Sequence, residues 1–248
     1  MKNIKLYYLL LIFVLVSACK ENPSDLPAKT DIHPDSVFFV INGKTFVFNQ
    51  RNTSGIGNRQ INVKPSQTLL IGRDFEYHTG NLYWYGEKDS TLYDAFYKFR
   101  SEKENNTIQI SFSKKLNNSQ LSKSFTMFVP ADNSALFKQG KQGFAVDLNM
   151  ENTMDGISVE AGLEGISKQL SSYIPGFSIL ERTSLGKNIQ DNSNFEITKV
   201  QKLDDKYMLI EAKFELNLFD DKGKLYRLEK GFLRFKTITT VVSAFEAT

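Results

Sequence analysis

Residues 207–236, YMLIEAKFELNLFDDKGKLYRLEKGFLRFK, decide the class of the fold. In the first half, Ile210, Ala212, Phe214, Leu216 and Leu218 interleave with Leu209, Glu211, Lys213, Glu215 and Asn217. Successive side chains of a strand point to opposite faces, so this period of two describes a long strand with one apolar face. Asp220-Asp221-Lys222-Gly223 supplies turn residues, and the chain returns. On the return, Tyr226, Leu228, Phe232, Phe235 and Ile238 are apolar but change phase near Gly231. A glycine at such a point marks a bulge or a close backbone approach.

The same signals recur on either side. Residues 37–41 and 45–49 flank Asn42-Gly43-Lys44, and Asn-Gly accepts the positive φ of a tight hairpin turn. Further strands are expected at 69–71, 82–85, 107–113, 124–129 and 195–200. Ile108, Ile110 and Phe112 alternate with polar residues, as do Phe125, Met127 and Val129. Weak helical spacing occurs at 90–100, around Leu92, Ala95, Phe96 and Phe99, and more poorly at 165–173. Neither alternates with strands regularly enough for a βαβ series. The 20 Phe and 10 Tyr fall often at alternating positions, which also favours strands. The expected class is mainly β: an antiparallel β-sandwich or partly closed barrel, with at most one or two short helices, forming a single β-rich domain over 37–248.

The N-terminus has a different composition. Lys2 and Lys5 precede an uninterrupted apolar run at 6–16, and Ser17-Ala18 precede Cys19, the only cysteine of the chain. A secretory signal has this layout, with small residues at the cut. The run is shorter than the roughly 20 apolar residues of a membrane-spanning helix. Residues 20–36, KENPSDLPAKTDIHPDS, carry three prolines and several charges, and read as an extended tether of at most about 50–60 Å.

Charge narrows the partners. The chain holds 31 Lys+Arg and 28 Asp+Glu, and removing Lys2 and Lys5 with the leader brings these near balance. No basic excess is left to neutralise phosphates, which argues against nucleic acid as a partner.

Val16-Ser17-Ala18-Cys19 resembles the lipobox of a bacterial lipoprotein. The resemblance implies a signal peptide at 1–18, and Cys19 as the first mature residue, carrying diacylglyceryl and N-acyl chains. Two or more chains are needed physically, since one myristoyl chain gives only marginal, reversible binding. Residues 37–49, VFFVINGKTFVFN, resemble the opening strand pair of small Bacteroidota lipoproteins, and 213–236 resembles their terminal hairpin. Those families are β-sandwiches of mostly unassigned activity. Lys20-Glu21 resembles part of a surface-export signal. The implied address is the outer membrane, with its periplasmic or surface face left open.

Chemistry is sparse. His33 lies in the tether and His78 near Trp84; no zinc spacing and no G-x-S-x-G elbow occurs. Asp204-Asp205 and Asp220-Asp221 lack the D-x-[DN]-x-[DN]-G spacing of a calcium loop and read as solvated turns. Gly55-Ile56-Gly57 is a lone G-x-G with no clear helix after it. No cofactor and no metal are expected. Tyr77, Tyr83, Trp84 and Tyr85 cluster in YHTGNLYWY, either as cross-strand packing or as an exposed aromatic binding platform.

The expected function is a lipid-anchored, non-enzymatic binding or accessory module of the envelope, with a sugar, a peptide or an envelope protein as partner. The alternatives are an envelope hydrolase using scattered carboxylates such as Glu76, Glu87 or Asp89, and a purely structural component. Asp35-Ser36-Val37 and Asp89-Ser90-Thr91 resemble the O-glycosylation sequon of exported Bacteroidota proteins. Ser36 or Ser90 is therefore predicted to carry a glycan in the native host; an intact mass equal to polypeptide plus lipid alone rules this out.

Overall fold

The computed structural model describes residues 35–51, 57–63, 67–69, 73–78, 82–85, 90–102, 104–124, 127–131, 133–148, 154–174 and 185–239; within 51–91 and 123–129 it describes backbone and strand pairing only. The strands are β1 (Ser36–Ile41), β2 (Lys44–Phe48), β3 (Gln50–Arg51), β4 (Gly57–Val63), β5 (Gln67–Leu69), β6 (Arg73–His78), β7 (Leu82–Tyr85), β8 (Ser90–Arg100), β9 (Thr107–Asn117), β10 (Ser122–Ser124), β11 (Met127–Val129), β12 (Gly140–Gln142), β13 (Gly156–Leu163), β14 (Ser167–Ser171), β15 (Asn194–Lys202), β16 (Tyr207–Phe219) and β17 (Leu225–Ile238). The helical content of the described residues is two short 3-10 segments, Asn118–Gln120 and Asn133–Leu136.

The strands build two layers. One runs β2-β1-β17-β16-β15-β12; the other runs β14-β13-β9-β8, with β8 bordered by β4 along its first half and by β3 at its end. Every ladder between these strands is antiparallel. A single register pair, Ser171 with Phe219, joins β14 to β16, so the layers form one continuous sheet folded at that corner. Among the described strands the ladder does not return on itself, although an isolated parallel bridge ties Phe144, just after β12, to Ile157 on β13. Separately, β5-β6-β7 form a three-stranded sheet and β10-β11 a hairpin.

Aromatic contacts show the fold-over. Along the ladder β17 and β8 are five steps apart, which on a flat sheet is about 24 Å at roughly 4.8 Å per strand. Yet the rings of Tyr97 and Phe235 lie 4.2 Å apart. Phe112 on β9 meets Phe195 on β15 edge-on at 5.9 Å, and Phe195 stacks on Phe214 at 5.4 Å. These rings, with Phe39, Phe46, Phe48 and Phe99, are fully buried between the layers. Buried hydroxyls find partners across the same seam: the Tyr97 hydroxyl and Thr237 Oγ1 are 2.6 Å apart, and the Tyr93 hydroxyl donates to Asn133 Oδ1 at 3.1 Å. Burial, with smaller contributions from Tyr97 and Asp94, pushes the Tyr93 phenol well above its usual range, so it stays a donor.

Two local expectations are corrected. Residues 90–100 form a strand, not a helix: Tyr93, Ala95, Tyr97 and Phe99 alternate into the core. Leu92 and Asp94 on the opposite face are buried too, and a strand covered on both faces mimics the i, i+3, i+4 spacing of a helix. Residues 165–173 are a turn and strand β14, because Gly165, at φ +80°, reverses the chain beside β13.

The opening hairpin closes as its sequence demands. Asn42 and Gly43 both adopt positive φ, 51° and 75°, between the paired residues Ile41 and Lys44. At the phase change in β17, the register passes from Phe214–Gly231 to Leu216–Leu228, so Glu229 and Lys230 face the single residue Glu215. Lys230 adopts φ +53° there. Tyr226 and Leu228 point into the core before this bulge, and Leu233 and Phe235 after it. Gly231 makes the close approach as well: a Cβ there would lie 2.5 Å from Phe214 Cδ2 and 2.6 Å from the Phe214 carbonyl oxygen. Gly231→Ala is expected to destabilise the domain by about 1–3 kcal/mol through overpacking, read as a lower denaturant midpoint. An unchanged midpoint would mean that the Phe214 ring does not depend on a bare backbone beneath it.

Candidate functional site

The outer face of the first layer is built from the residues that β2, β1, β17, β16, β15 and β12 do not send into the core. Register aligns one of each across the sheet: Lys141, Glu196, Lys213, Phe232, Phe38, Val47. Neighbouring residues in such a row are the interacting unit of a sheet surface. The row begins with alternating charges and ends apolar at the β2 edge. There Phe38 is 41% exposed and Val47 53% exposed. The Phe38 and Phe232 rings stack at 5.4 Å with 26° between planes. The Arg234 guanidinium lies 5.4 Å from the Phe232 ring centre, and its Nε donates to Glu211 Oε1 at 2.9 Å. The result is a solvent-facing aromatic and aliphatic strip with a polar rim.

A second feature lies at the tips of the β8–β9 and β13–β14 hairpins. Lys98, Arg100, Glu104, Thr107 and Glu164 line an open recess of about 630 Å³. Asn106 beneath it is buried; its Oδ1 accepts from the Glu164 backbone at 2.7 Å, and its Nδ2 donates to Glu104. This binds the two hairpin tips together. The recess carries both charge signs and can hold a small polar ligand. No group of three or more His, Cys, Asp or Glu among the described residues is placed to hold a metal.

A third cluster is structural. Gln190 is buried, and its Nε2 donates to the carbonyls of Ser172 and Asn217, each at 2.7 Å. Its Oε1 accepts from the Asn217 backbone at 3.1 Å and from the Ser193 hydroxyl at 2.6 Å. Asn217 in turn donates to Ile189 and Asn192 and accepts from Arg227 at 3.0 Å. Five polar side chains thereby join around the corner where β14 meets β16.

The residues singled out in the sequence fall variously. Tyr77 and Tyr83 are cross-strand partners in β6–β7, as are Phe75 and Tyr85, whereas Trp84 pairs with Glu76 at the other parity of the ladder. The pairing thus sets Tyr77, Tyr83 and Tyr85 at one parity without Trp84. Ser36 opens β1, half-buried, opposite Arg234. Ser90 opens β8, where only the backbone is described. Cys19, His33, Glu87 and Asp89 lie outside the described residues. The Asp turns hold their own backbone. Asp220 Oδ1 accepts from the amides of Lys222 and Lys224, and Asp204 Oδ1 from those of Lys206 and Tyr207. Asp205 pairs with Lys202 at 2.7 Å, which draws its carboxyl below the usual range and raises the lysine.

Phe38, Val47 and Phe232 were not anticipated as a surface. The signal lay in VFFVI at 37–41, where Val37, Phe39 and Ile41 already fill the inner face and leave Phe38 for the other. No family model, curated protein or solved structure matches this chain.

Gln190→Ala removes the donor and acceptor that hold two carbonyls, an amide and a hydroxyl at the corner. Each buried polar group left unpaired costs about 1–3 kcal/mol, so a clear fall in melting temperature is expected. Melting equal to that of the parent chain would show that water replaces Gln190 without loss.

Proposed function

We propose that this chain is a bacterial lipoprotein, anchored through acylated Cys19 to the envelope, most naturally the outer membrane, and that its β domain is a non-enzymatic binding or accessory module. The observation that carries the reading is the sequence at 2–19: two lysines, an apolar run too short to span a bilayer, and small residues ending at the single cysteine. The tether reading of 20–36 fits the same scheme. Its last two residues already belong to the fold: Asp35 Oδ1 accepts from the Lys236 amide at 2.7 Å, and Ser36 opens β1.

Two surfaces support a binding role. The strip Val47–Phe38–Phe232 offers rigid aromatic area with a charged rim, suited to a sugar ring, a peptide or an envelope protein. The polar recess above Asn106 offers a second, smaller position for a polar ligand. A glycan on Ser36 would stand beside Arg234, at the margin of the strip.

The anchor is tested in the native host by fractionation. Wild-type chain is expected with membranes, and Cys19→Ser in the soluble fraction. Quantitative recovery of Cys19→Ser with membranes overturns the reading.

A further inference from the structure

We propose that β2 is a self-association edge, and that a second copy of this chain pairs with it antiparallel, β2 against β2, about a two-fold axis at Phe46. The argument starts from the hairpin. Ile41 and Lys44 flank a two-residue turn and so exchange both backbone bonds. Antiparallel ladders alternate bonded and non-bonded pairs, so Lys44, Phe46 and Phe48 direct their N–H and C=O groups to β1. Thr45 and Val47 direct theirs away from the sheet. Among the described residues β2 has one ladder neighbour only, and Thr45 and Val47 are both exposed. An exposed row of free amides and carbonyls is a template for another strand.

The free groups are self-complementary. With Phe46 on the axis, Thr45 of one copy exchanges both main-chain bonds with Val47 of the other, and Val47 with Thr45. Each Lys44 then faces Phe48 of the second copy, so the lysines sit at opposite ends of the pairing and do not repel one another. The outer strip ends at this same edge. Val47, flanked by Phe38, gains the second copy's Thr45 as its cross-strand neighbour, which covers apolar area that is otherwise wet. This is an isologous contact, the commonest symmetry of homo-oligomers. Its size fixes its strength. A five-residue strand buries well under the roughly 1,200–2,000 Å² of a standard interface. Association is therefore weak and concentration-dependent, the regime in which confinement of both copies to one membrane has most effect.

The test uses the full-length chain with Cys19→Ser in mild detergent, so that only introduced thiols react and the anchor plays no part. Adding Thr45→Cys together with Val47→Cys is expected to give a covalent dimer under mild oxidation. Leu225→Cys, 51% exposed at the turn end of β17, is expected to give none. In the Cys19→Ser chain, Val47→Pro deletes one free N–H while sparing the bonds of Phe46 and Phe48 to β1. It should leave the circular dichroism unchanged and abolish dimer sedimentation at concentrations where the parent dimerises. Absence of the double-cysteine dimer, an equal yield from Leu225→Cys, or undiminished dimer with Val47→Pro overturns the proposal. So does a monomer that binds phospholipid vesicles through Phe38 and Val47, which would give the strip to a membrane.

Discussion

Two strands of thirteen and fourteen residues can face one core along their whole length only if their alternation stays in step, and here it breaks once. The Phe214 ring laid over Gly231 is where the break is absorbed. The bulge at Glu229 and Lys230 inserts the extra residue, Lys230 takes the left-handed conformation, and Gly231 leaves room for the ring. Without the bulge, either Tyr226 and Leu228 or Leu233 and Phe235 would face solvent, because a one-residue slip inverts a strand. Burying a large apolar side chain contributes about 1.5–3 kcal/mol, so the phase correction decides a sizeable part of the core's stability. The rings that meet the second layer, Phe195, stacked on Phe214, against Phe112 and Phe235 against Tyr97, hang on its two halves.

The second requirement is the corner. A sheet that folds over must break its ladder, and among the described residues only Ser171 and Phe219 remain paired between β14 and β16. Backbone groups around that point would be buried without partners. Gln190 meets the need by bonding at once to a carbonyl beyond β14 and to both main-chain groups of Asn217. Arg227, from β17, closes the cluster from outside. One polar side chain thus replaces ladder bonds that folding removes.

The strands at the two ends of the domain were legible in the sequence because each signal there is local. Asn42-Gly43 specifies its turn, the even face of β16 is unbroken, and Gly231 announces both its bulge and its close approach. The middle was harder for physical reasons. In β8, Leu92 and Asp94 are buried on the face opposite Tyr93 and Tyr97, and burial on both faces erases the period of two. In β13, by contrast, Ile157, Val159, Ala161 and Leu163 alternate with Ser158, Glu160 and Gly162, a period of two that the sequence carries openly. The corner was invisible, since Gln190 and Asn217 are distant in sequence and unremarkable in type. The strip was half visible: alternation shows that Phe38 leaves the core, but not that Phe232 and Val47 stand beside it.

That adjacency changes what an exposed Phe or Val means. Scattered singly, such residues are ordinary, because no protein has enough polar surface to cover itself. Here register places Val47, Phe38 and Phe232 on three neighbouring strands, while the next three strands of the same row carry lysine, glutamate and lysine. The face is therefore graded rather than mixed, and the apolar end coincides with the side of β2 that has no ladder partner among the described residues. Arg234 does not shield the strip; it lies over one ring and is tied to Glu211, so it borders the apolar area instead of crossing it. Side-chain apolarity and unpaired backbone at a single edge favour the same event, the arrival of another strand, and each makes the other more effective because a docked strand satisfies both at once.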